Sequence, residues 1–417
     1  MTDESTSHNG STSDHIEDSD VSLERAISDI PVLRNLKFRE VPHVDILGPL
    51  LHANLVRSLD FDPSDLRSVV SSARLWEGLI QQGYRLPFLL CKVAEVRWRF
   101  GSKVTAIQAY QEANAECGDV SLERWTRAAR SAVWRQTSEI LDAYKTGSAL
   151  TIMPGQEWRS TVINDAHFPT SVLDKGYIMI QMFKVWQERN RLDVFSRRYY
   201  NFLCMNTIAL EGVCRFSQDV IYEISEIGFD RIRDINLRMV PQARYIEEGT
   251  VRDLDDAILI LQDTRKALQA VLAFTQQDPE QQIISTNIIC DIHRTLMRTS
   301  QVLQVKSHQG KDSVSYVNAG ITRGTSRSTV VVNTQRGIIQ FCPFDDVDVE
   351  LEVFCSRFNA LLRRDDIDPF AAAAWAHHVF ITIHPFENGA VALIDSVDTA
   401  WSSTNLHITY RFTLASL

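Results

Sequence analysis

Apolar residues recur at three- and four-residue steps along most of the chain, and this period restricts the possible folds more than any other feature. From about Phe61 to Thr146, positions such as Leu75, Leu79, Ala109 and Ala113 fall on helical faces, with Pro63, Gly101, Gly118 and Gly147 as punctuation. The pattern resumes near Gly176 and runs through Phe274. Asp278-Pro279 reads as the opening of a further helix, with Ile283, Ile284, Ile288, Ile292 and Leu296 on its apolar face. Leu351, Phe354, Phe358 and Leu361 repeat the helical spacing, and Asp368-Pro369 supplies a cap and first turn for a helix through Trp375 to about Ile383. One stretch breaks the period. Between Ser328 and Phe341 two β-branched runs flank a loop ending in Gly337, which predicts a β-hairpin. The expected fold is mainly α with one hairpin.

Composition narrows the class. A chain of 417 residues with 44% hydrophobic and 23% charged residues can bury sizeable cores, in two or three domains. No run approaches the 18 or more apolar residues of a membrane span; the nearest thing, Tyr177 to Phe183, is interrupted by Gln181. The start, Met1-Thr-Asp-Glu, is acidic where a targeting peptide would be basic and then apolar. Seven cysteines, at 91, 117, 204, 214, 290, 342 and 355, show no CxxC or metal-ligand spacing and read as reduced, buried thiols. A soluble intracellular protein, cytoplasmic or nuclear, is expected. The net charge is −10, and six of the acids crowd into residues 1–20, so neither nucleic acid nor a membrane surface is an expected partner.

The segment that carries chemistry runs Trp375-Ala-His377-His378-Val-Phe380-Ile-Thr-Ile-His384-Pro385-Phe386-Glu387-Asn388-Gly389. An apolar helix delivers His384 to its C-terminal end, where Pro385 stops it. Gly389 then permits a tight turn whose backbone N–H groups can face an anion. A histidine beside such a loop suits a general base next to a phosphate.

The run His384-Pro385-Phe386-x-x-Gly389 resembles the active-site motif of the Fic (Fido) family, His-Pro-Phe-x-(Asp/Glu)-Gly-Asn-Gly-Arg. The hairpin at 328–341, followed by Phe344 and an acidic helix start, looks like the family's flap. Thr207-Ile-Ala-Leu-Glu211-Gly212 resembles its inhibitory motif, (Ser/Thr)-x-x-x-Glu-(Gly/Asn). The resemblance spans about 205–398. It implies transfer of AMP from ATP to a Ser, Thr or Tyr hydroxyl of a target protein. His384 would be the base, and Glu387, Asn388, Gly389 and Ala390 would line the nucleotide. Mg²⁺ would be present, with Asn388 its weak ligand, and Pro385 and Phe386 would anchor the loop. The flap would align target backbone by strand addition, and a homodimer is compatible with the pattern. The implied organisation is an acidic disordered tail (1–30), a helical domain (31–150), a linker (151–175), a helical region with the inhibitory motif (176–282), a Fic-like core (283–398) and an atypical tail (399–417).

The motif is incomplete. Ala390-Val391-Ala392 stand where the family has Asn-Gly-Arg, and Asn388 falls where the family has a metal-binding acid. Losing the arginine removes a bidentate clamp on the terminal phosphates. Charge-assisted bonds are worth roughly 1.5–3 kcal/mol each, so the resemblance implies weak activity. The alternative is a non-catalytic member acting as a helical interaction module.

Overall fold

The computed structural model describes residues 31–60 apart from 32, 66–147, 152–161, 193–235, 241–275, 283–306, 312–334, 336–364 and 369–389, with residues 184, 185, 188 and 367. The expectations for 1–30, for Ala390 to 398 and for 399–417 lie outside the described residues. The fold is mainly α, and the chain divides into two compact units, Met1–Ile140 and Leu141–Leu417. No helix among the described residues is long and apolar enough to cross a membrane.

The first unit is helical: α1 (Leu36–Arg39), α2 (Val44–Leu47), α3 (Pro49–Leu59), α4 (Leu66–Gln81), α5 (Pro87–Arg99), α6 (Lys103–Ala115) and the start of α7 (Val120–Thr146). Pro49 and Pro87 open α3 and α5 at their first positions, where a missing N–H costs nothing. Its core combines Trp76, Leu79, Leu89, Leu90, Ile107 and Tyr110, all buried. A largely enclosed ion pair, Arg97 to Glu77 at 2.6 Å, joins α5 to α4.

The second unit has two packed clusters. The first gathers α8 (Asp193–Leu210), the strand pair β1 (Cys214–Phe216) and β2 (Ile246–Gly249), α9 (Gln218–Ile227) and α10 (Leu254–Thr275) around Cys204, Ile208, Phe216, Ile224, Phe229 and Leu261. The second gathers α11 (Thr286–Leu296), α13 (Val347–Leu362) and α14 (Pro369–Ile383) around Ile292, Leu351, Phe354, Phe358, Phe380 and Phe386. Between α11 and α13 lie the hairpin β3 (Val302–Lys306) and β4 (Asp312–Tyr316), the short helix α12 (Arg323–Ser326), and the hairpin β5 (Val331–Thr334) and β6 (Gly337–Gln340).

The hairpin expected at 328–341 forms, pairing Val331 with Gln340 and Thr334 with Gly337. The expectation of a single hairpin needs correction: the described residues hold three two-stranded antiparallel pairs. β1 and β2 are three and four residues long and 29 residues apart, too short for alternation to register. The helix opening expected at Asp278-Pro279 lies outside the described residues; the helix is described from Thr286. Ser285 caps it, its hydroxyl accepting from the Ile288 N–H at 3.4 Å.

The stretch expected as a linker is described over 152–161, where it docks on the β5–β6 ribbon. Ile152 bridges Ile338 in parallel, the Met153 N–H donates to the Ile338 carbonyl at 3.0 Å, and the Gln340 N–H donates to the Gln156 carbonyl at 3.1 Å. Ser160 and Thr161 donate to the buried Glu350 carboxylate, and Trp158 packs on the second cluster.

Candidate active site

Helix α14 exists to bring His384 to one point. Ala372, Ala373, Ala376, Val379, Phe380 and Ile383 form its buried face at three- and four-residue spacing. The His384 N–H makes the last helical bond, to the Phe380 carbonyl at 2.8 Å. His384 itself turns left-handed, at φ +48, and Pro385 prevents the helix from resuming. That conformation costs a non-glycine residue roughly 1–2 kcal/mol, so the surroundings must impose it. The imidazole stacks on Phe341, centroids 4.4 Å apart at 23°. One edge stays open to solvent, while Nδ1 is buried with no hydrogen-bond partner among the described residues. Burial, followed by the nearby Arg323 charge, pushes the His384 pKa down to about 4, so the ring is neutral at pH 7.

The loop after His384 is held from below by His293 on α11. His293 is fully enclosed and lies flat on Phe386, at 3.8 Å and 3°. The Gly320 N–H donates to His293 Nδ1 at 2.8 Å, which places the ring proton on Nε2, and Nε2 donates to the Asn388 carbonyl at 2.8 Å. Burial pushes the His293 pKa down to about 4. Gly389 then sits at φ +72, and a Cβ there would lie 2.6 Å from Met297 Sδ and 3.4 Å from His293 Nε2. Gly389→Ala should destabilise the domain by about 1–3 kcal/mol, from strain plus crowding; an unchanged midpoint in chemical denaturation would show that the loop yields freely.

Arg323 and Glu387 complete the arrangement. Arg323 is wholly buried. Its guanidinium donates to the carbonyls of His384 (2.6 Å), Ser328 (2.9 Å), Cys342 (2.8 Å) and Ile383 (3.0 Å), and its N–H donates to the Pro385 carbonyl at 2.8 Å. Glu387 points inward. Its carboxylate accepts from Asn318 Nδ2 (3.1 Å), Ser326 Oγ (2.8 Å) and Ser328 Oγ.

Set against the sequence expectations, the structure brings His384, Pro385, Phe386, Glu387, Asn388 and Gly389 into one turn. Phe386 is fully buried in the second cluster, stacked on His293. Glu387 is committed to a polar cluster beneath the loop rather than turned to a nucleotide, because Asn318, Ser326 and Ser328 supply donors on that side. The Asn388 backbone carbonyl is taken by His293, Glu387 is bound beneath the loop, and among the described residues no group of three or more His, Cys, Asp or Glu could hold a metal. Thr207 is buried on α8, and Glu211 follows at its C-terminal cap, part-exposed. Gly212, at φ +67, closes that helix: its N–H donates to Ala209 while the Val213 N–H donates to Ile208, both at 3.0 Å.

The sequence expectations did not include Arg323, Asn318, Ser326, Ser328 or His293. The available signal was the dense polar run from Asn318 to Ser328, immediately ahead of the hairpin.

Helical core, ribbon and His-Pro-Phe turn thus converge on one loop. A family model described as Fic/DOC family matches residues 283–391. These residues are a Fic/DOC domain. Among solved structures, a fragment of Fic-1 from C. elegans aligns at 15% identity, covering 88% of this chain and 89% of that one, with a TM-score of 0.31. A single-substitution version of the same fragment aligns at 15% identity over 88% and 90%, with a TM-score of 0.29. The family assignment rests on the family model alone. No curated protein matches the chain.

Proposed function

We propose that the Fic domain transfers AMP from ATP to a Ser, Thr or Tyr hydroxyl of a target protein, at a rate curtailed by loss of its phosphate clamp. The observation that supports this most is the His384 imidazole: neutral at pH 7, packed on Phe341, with a buried and unengaged Nδ1. A target hydroxyl oxygen attacks the α-phosphorus and its proton passes to the imidazole. The bond to the β-phosphate oxygen breaks, and pyrophosphate leaves. The ribbon β5–β6 receives target backbone beside that base. Base catalysis typically contributes about 10²–10⁴ in rate. Positioning and charge stabilisation contribute more in phosphoryl-type transfer, and here Ala390-Val391-Ala392 replace the groups that would supply them.

One observation favours a second reading. Glu387 is bound inward and no other acid is offered at the turn, as expected of a non-catalytic domain that keeps the fold for interaction.

Labelled-AMP transfer separates the readings in four chains: natural, repaired with Asn-Gly-Arg after Gly389, repaired with His384→Ala, and repaired with Glu211→Gly. Repair should raise transfer at least about 10²-fold, and His384→Ala should remove the gain. Glu211→Gly should raise it further if Glu211 competes for the restored arginine. Strong transfer by the natural chain would show that the clamp matters little. Transfer surviving His384→Ala would remove His384 from the mechanism. Failure of both natural and repaired chains to bind ATP would favour the interaction module.

A further inference from the structure

A histidine in a left-handed turn must be held there, and the structure shows what holds it. Five hydrogen bonds leave Arg323, four from the guanidinium and one from its N–H, and three of them end on consecutive carbonyls of the catalytic turn: Ile383, His384 and Pro385. The Ile383 carbonyl closes α14 and the His384 carbonyl follows it at the cap, where no further helical residues come to bond them. The remaining two bonds reach Ser328 and Cys342, just before and just after the β5–β6 ribbon. Phe341, whose ring the imidazole stacks on, adjoins Cys342. One side chain therefore sets both the backbone from which His384 departs and the strand end against which its ring rests. A lysine could not do this, because its single ammonium cannot fork toward four carbonyls.

We propose that Arg323 is the positioning residue of His384, fixing the turn that aims the imidazole. The claim that the aim serves catalysis rests on the AMP-transfer reading; the claim that Arg323 sets it does not. The charged or titratable groups around Arg323 are Glu387, Tyr144 and Cys342, besides His384 itself.

The test uses the full natural chain with labelled histidine rings, compared by NMR with Arg323→Lys and Arg323→Gln. Both variants should lose cross-peaks between the His384 and Phe341 rings while keeping those between His293 and Phe386. The His384 titration should move upward in Arg323→Gln, and by less in Arg323→Lys, which keeps the charge. In the repaired chain, Arg323→Lys should lower kcat at least tenfold with the KM for ATP within about twofold. Ring contact and titration unchanged in both variants would overturn the assignment. Loss of both ring pairs together would make Arg323 a general structural residue and overturn it equally. If neither variant folds, the unsubstituted chain decides. Its Arg323 Nε–H should be protected from solvent exchange and lie close to His384, and free exchange would refute the proposal. Absence of AMP transfer in every chain would leave the NMR result standing and count only against the functional reading.

Discussion

Lowering the pH from 7 to 4 should cost the Fic domain several kcal/mol of stability through two histidines alone. His293 and His384 stay neutral in the folded chain down to about 4, whereas unfolded they take up a proton near 6.5. Between those values the unfolded chain binds more protons. The stabilisation is therefore complete above pH 6.5, falls as the pH drops toward 4, and stops changing below it. Each fully shifted site contributes about 1.4 kcal/mol per pH unit inside that window. His293 carries the larger share, because it is wholly enclosed while His384 keeps an edge in solvent. Denaturation midpoints at pH 7, 6, 5 and 4 measure the slope. His293→Gln should flatten it, since glutamine does not titrate. An equal slope with and without His293 would mean that carboxylates govern acid unfolding.

His293→Leu should be among the most damaging single changes in the domain, at about 2–5 kcal/mol. It leaves the Gly320 N–H and the Asn388 carbonyl without their partner, and a stranded polar group of this kind costs about 1–3 kcal/mol. It also removes the flat stack on Phe386, worth about 0.5–1.5 kcal/mol beyond buried area. Glutamine at the same place can accept from Gly320 and donate to Asn388, so His293→Gln should recover a substantial part of the loss at pH 7. Thermal melting of the three chains provides the comparison. Equal melting of the leucine and glutamine variants would show that ring packing, rather than the two hydrogen bonds, fixes the loop.

Much of this arrangement could be read from the sequence because it depends on local rules. A helix stopped by proline places His384, the spacing of Ala372, Ala376 and Phe380 declares the buried face of α14, and the β-branched runs around Gly337 declare the ribbon. What escaped depends on distant partners. Arg323 looks like an ordinary surface arginine in the sequence, and only the arrival of Ile383, His384, Cys342 and Ser328 from three segments makes it a buried clasp. Glu387 was assigned to the nucleotide side because sequence neighbours gave no direction; three donors from 318–328 decide it. Residues 152–161 have no period of their own, since their hydrogen bonds go to Gln340, Ile338 and Glu350 almost two hundred positions later.

That last attachment gives the ribbon a handed character. Alternate backbone groups of β6 are taken by β5 on one flank and by Met153 and Gln156 on the other. The ribbon is therefore three-ply rather than a bare hairpin, and of the two hairpin strands only β5 keeps an outer margin with no pairing strand among the described residues. Under the proposed function, strand addition along the ribbon would be directional, because a backbone could join it from one flank without first displacing part of this chain.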